Sequence, residues 1–92
     1  MKIYKDLDFK PKSQQNLSWG DHATMSFDNG YGVSVITGGY GDHSAPYEIA
    51  IIGADNEIDY TTPITSDVIG WLDKAKVTKI MKRIQQLPKR NL

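Results

Sequence analysis

Apolar and polar residues alternate in short stretches over the first two thirds of the chain, and beyond residue 73 the apolar spacing changes to three and four. That change of period predicts strands followed by a helix. Ile3, Leu7 and Phe9 alternate in part with charge, which predicts a short edge strand ending before Pro11. Residues 12–16 read as a loop. Ala23 to Phe27 and Tyr31 to Thr37 flank Asp28-Asn29-Gly30, a hairpin turn, because Asn and Gly tolerate the positive φ of tight loops. A three-residue loop with Gly30 in a bulge pairs Phe27 with Tyr31, Met25 with Val33 and Ala23 with Val35. One face then becomes wholly apolar, whereas a one-residue slip would send every side chain to the other face.

Tyr47 to Gly53 predicts a third strand and Glu57 to Thr62 a fourth, joined by a turn at Asp55-Asn56 that sets Ile51 opposite Tyr60, Ile49 opposite Thr62 and Ile58 against Gly53. Residues 38–46, rich in Gly, predict a mobile surface loop. Pro63 ends the fourth strand, a helical turn is expected over Val68 to Trp71, and Asp73 caps a helix from Lys74 to about Leu87. Val77, Ile80, Met81, Ile84 and Leu87 form its apolar stripe. The expected fold is α+β: an antiparallel sheet of about four strands, two hairpins in a meander, covered on one face by a C-terminal helix. Residues 1–88 make one domain, with 89–92 a disordered tail.

Composition narrows the class. Two Trp, five Tyr and 39% apolar content in 92 residues suffice for one small core. The absence of Cys removes disulfides, thiolate ligands and thiol nucleophiles. No stretch reaches the ~20 apolar residues of a membrane span, and the first residues lack an apolar leader, so a soluble, cytoplasmic protein is expected.

Charge changes the picture more. Residues 13–73 hold nine carboxylates (Asp21, Asp28, Asp42, Glu48, Asp55, Glu57, Asp59, Asp67, Asp73) and no Lys or Arg; residues 74–92 hold seven bases and no acid. An acidic body and a basic helix can steer partners of either sign, another copy included. Lys76, Lys79, Lys82 and Arg83 form a solvent-facing basic ridge, a candidate nucleic-acid contact, although bases near a helix C-terminus also complement its dipole.

The tetrad aromatic-Gly-Asp-His occurs twice, at Trp19-Gly20-Asp21-His22 and Tyr40-Gly41-Asp42-His43. With Asp21 opposite Thr37, both copies fall at the open end of the first hairpin. His22, His43, Asp21 and Asp42 could then bind a divalent metal or pair an acid with a base, since imidazole offers a lone pair near neutral pH and a carboxylate orients it. The plainer reading is that these are ordinary loop residues, and neither a metal nor any other cofactor is expected. The run Gly38-Gly39-Tyr40-Gly41 lacks the Lys and Ser/Thr of a phosphate loop. Tyr47, Tyr60 and Trp71 read as core, while Trp19 and Tyr40, each before a loop Gly, read with Asp42 and His43 as a protein contact.

Phe27-Asp28-Asn29-Gly30-Tyr31-Gly32-Val33-Ser34-Val35-Ile36, Tyr47-Glu48-Ile49-Ala50-Ile51, and Thr62-Pro63-Ile64-Thr65-Ser66-Asp67-Val68-Ile69-Gly70-Trp71-Leu72, leading into the helix that ends Ile84-Gln85-Gln86-Leu87, together resemble small uncharacterised proteins of tailed bacteriophages and prophages. The resemblance implies an α+β protein made in a bacterial cytoplasm and carries over no catalytic residue. The function expected is non-enzymatic binding of host or phage machinery. The alternatives are nucleic-acid binding through the helix and, behind it, a metal-dependent enzyme at the two Gly-Asp-His segments.

Overall fold

The Asp28-Asn29-Gly30 turn closes as a three-residue loop. Phe27 N–H donates to the Tyr31 carbonyl at 2.7 Å, Gly30 N–H to the Phe27 carbonyl at 3.2 Å, and Gly30 takes φ +88°, a conformation that costs a residue without Cβ little. The computed structural model describes residues 1–11, 20–38, 43–53, 57–59, 62, 64 and 68–89. Within them the strands are β1 (Lys10–Pro11), β2 (Asp21–Ser26), β3 (Gly32–Thr37), β4 (Tyr47–Ile52) and β5 (Ile69–Leu72), followed by helix α1 (Lys74–Gln85). All five strands form one antiparallel sheet in chain order. The class is α+β, with five strands where about four were expected.

The β2–β3 register is the expected one, Ala23 against Val35 and Met25 against Val33. Val33, Val35, Ile49 and Ile51 bring their side chains to the same face, where they meet Val77, Ile80, Met81 and Ile84 of α1. Burying a side chain of this size removes roughly 1.5–3 kcal/mol of exposure cost, so this helix-on-sheet layer supplies most of the stability. The helix starts as expected, with the Asp73 carboxylate accepting the Lys76 N–H at 2.8 Å.

Three expectations give way. The N-terminal segment makes a 3-10 turn at Tyr4–Asp6 rather than a strand from residue 3. The Asp6 carboxylate accepts the Ile3 N–H at 2.8 Å, and Tyr4 N–H donates to the Thr78 hydroxyl, so the segment packs on the helix and joins the sheet only at β1. The expected fourth strand reduces, among the described residues, to one bridge, Ile52 with Ile58, and its register is one residue from that expected, with Gly53 N–H donating to Glu57. Ile58 therefore lies 42% exposed, and Asp59 and Thr62 are buried instead. The expected helical turn at 68–71 is β5, which takes the place along β4 that the expected strand would have filled: Leu72 pairs with Tyr47 and Ile69 with Ile49. Tyr60 and the turn at 55–56 lie outside the described residues, as does the expected tail apart from Lys89.

Candidate functional site

β5 carries one residue more than the β4 stretch it faces. Gly70 and Trp71 together oppose Glu48, and the excess is absorbed at Trp71, which takes φ +59°. A bulky side chain in the left-handed region crowds its own backbone, a strain of roughly 1–2 kcal/mol that must be outweighed by the pairing on either side. Trp71 is also 57% exposed on an edge strand, not in the core as its sequence context suggested. The helical turn expected there would have turned the indole inward. A bulge turns it out.

Beside the end of β5 lies an open recess of about 310 Å³, lined by His43, Ser44, Pro46, Tyr47, Asp73 and Lys74. Tyr47, one of its lining residues, belongs to an aromatic trio. Tyr4, Phe9 and Tyr47 stack edge-on or tilted with centroids 5.3 to 5.8 Å apart, and the Tyr4 and Tyr47 hydroxyls share a hydrogen bond. Lys74 Nζ sits 5.5 Å from the Tyr4 ring centroid, an attractive cation–ring contact. Burial first, then the bond to Tyr47 and the negative charge of Asp21, push the Tyr4 hydroxyl up to about 12. That is too far from neutrality for general acid–base work, so the pair acts as a structural tie.

Asp21 and His22 open β2 where expected: His22 pairs with Ile36 and Lys10, and Asp21 N–H donates to the Thr37 hydroxyl at 2.7 Å. Both side chains are exposed. His43 is exposed beside the start of α1. Among the described residues no three His, Asp or Glu side chains converge as a metal site would require; Asp42 lies outside them. Of the expected protein-contact residues, Trp19, Tyr40 and Asp42 lie outside the described residues and His43 lines the recess.

Lys76, Lys79, Lys82 and Arg83 are all exposed on α1 and make no ion pair among the described residues. Sequence reasoning missed their company. The Lys2 backbone N–H donates to the Gln85 side chain at 2.8 Å and its carbonyl accepts from the same amide at 2.7 Å, which lays Lys2 and Lys5 along one flank of the helix. For Trp71, the available signal was Gly70 beside it, a residue that in a strand often marks a bulge.

No family model, curated protein or solved structure matches this chain.

Proposed function

We propose that this chain is a non-catalytic protein-binding module, and that the contact centres on Trp71 with the recess at His43 and Tyr47 beside it. The observation that supports this is a large aromatic held exposed at a strained backbone position on an edge strand. Strain of that kind persists at sites where it serves a purpose, and exposed Trp is enriched among residues that dominate interface energy. The neighbouring recess has the size for one partner side chain. Trp19, Tyr40 and Asp42 extend the same proposal. The resemblance to small phage proteins suggests host or phage machinery as the partner and the bacterial cytoplasm as the setting.

The test is capture from bacterial extracts, with and without phage infection, by immobilised wild-type and Trp71→Gly protein. A protein retained by the wild type and reduced by about thirtyfold or more with Trp71→Gly, the effect of losing a central anchor worth ~2 kcal/mol, is the expected result. Equal retention by both would remove Trp71 from the contact. In a Trp19→Phe background the emission of Trp71 alone should shift to the blue as the purified partner buries it.

A further inference from the structure

We infer that the solvent face of the helix layer is a docking surface for the phosphate backbone of a nucleic acid, separate from the contact at Trp71. The buried side of α1 is Val77, Ile80, Met81 and Ile84, which leaves Lys79 and Lys82 at the outer crest and Lys76 and Arg83 on one shoulder. From Lys76 to Arg83 the helix advances about 10 Å, a span that faces several phosphates of a duplex spaced ~1.7 Å per charge along its axis. The other shoulder is filled by the N-terminal segment, which adds Lys2 and Lys5 through its bonds to Gln85 and Thr78.

What makes this more than a solvated helix is the state of the neighbouring carboxylates. Asp73 is occupied in capping the Lys76 N–H and Asp6 in accepting the Ile3 N–H. Among the described residues Lys76, Lys79, Lys82 and Arg83 have no carboxylate within ion-pair reach. They form a concentrated positive field on a chain whose total charge is zero, and such a field attracts a polyanion.

A second copy of the chain fits less well as the occupant. Of the described acids in the sheet layer, Asp21 and Asp28 stand at opposite ends of β2 and Asp59 is buried. These residues offer no row of free carboxylates to match the crest. Lysines suit phosphate as point charges and carry no base specificity, so the surface should bind by charge and not by sequence.

The experiment is fluorescence anisotropy of labelled 20-mers of duplex DNA, single-stranded DNA and RNA at about 20 mM and at higher salt. Binding at low salt is expected, with a slope of log K against log salt of about −3 to −4 on duplex DNA for four neutralised phosphates. Lys79→Gln/Lys82→Gln, which touches only exposed side chains, should reduce that slope by about two, since each lost phosphate contact removes roughly one. Trp71→Gly should leave it unchanged, so this proposal and the protein-binding one can fail independently. No binding at low salt, or binding indifferent to the double substitution, overturns the inference. So does equal affinity for polyglutamate of matched charge, which assigns the surface to an acidic protein, or low-salt self-association abolished by the double substitution, which assigns it to a second copy.

Discussion

Trp71 departs furthest from what its neighbours along the chain imply, and the departure can be measured. In an ordinary strand Gly is less stable than Ala by roughly 0.5–1 kcal/mol, because Gly gives up more backbone freedom on folding. At φ +59° the order should invert. Trp71→Ala keeps a Cβ in the strained position and Trp71→Gly does not, so urea unfolding should find the Gly variant more stable than the Ala variant by about 1 kcal/mol. Gly20 is the converse case, with φ +95° and a built Cβ only 2.5 Å from both the carbonyl and hydroxyl oxygens of Thr37. Gly20→Ala should cost more than about 2 kcal/mol in the same measurement, since it also displaces the hydroxyl that accepts the Asp21 N–H. Tyr4 supplies a pH test. Its hydroxyl ionises at about 12 in the fold against 10.0 ordinarily, so between those values the folded state keeps a proton the unfolded state has lost. The stability tied to this group is complete below about pH 10 and falls as pH rises towards 12. Urea midpoints at about pH 9 and 11.5 should converge more closely in Tyr4→Phe than in the wild type.

At the scale of elements, the first hairpin and the helix were legible because each is specified by neighbours within a few residues. The alternation around Asn29-Gly30 admits one register that keeps Met25, Val33 and Val35 on one face, and the Asp73 cap with its three-and-four stripe admits one helix. The strand beside β4 was not legible, since 57–62 and 69–72 both carry apolar residues suited to it. The choice rests on which can follow directly into a helix lying on the sheet: β5 ends at Leu72, one residue before the cap. The hairpin turn also has a duty no local pattern reveals. The Asn29 amide donates to the carbonyls of Ile84 and Leu87 at 2.8 and 3.2 Å, tying the turn to the C-terminal end of α1, while its oxygen accepts the Tyr31 N–H. Asn29→Asp keeps the acceptor and loses the donor. It should cost about 1–2 kcal/mol in thermal or urea unfolding and speed hydrogen exchange selectively in the last turn of α1.

For the whole molecule, the opposition of acids and bases along the chain becomes an opposition only in part. The bases gather in one layer because the helix that carries them buries its apolar side, and the N-terminal turn brings Lys2 and Lys5 to the same place. The acids do not gather in the same way. Asp59 is buried and Asp73 is used as a cap, while Asp21 and Asp28 are separated by the length of β2. No helix among the described residues is long and apolar enough to cross a membrane. The basic helix crest was therefore readable in advance, whereas the edge-strand Trp and the recess next to it were not. Periodicity, turn chemistry and capping act over a few residues, so the sequence by itself determined the class of fold, the hairpin register, the helix and its charged face. Which segment closes the sheet, where the N-terminal lysines come to rest, and which way Trp71 points depend on contacts between residues far apart in the chain. Only the tertiary structure decided those, because each is settled by competition for the same space on one small core.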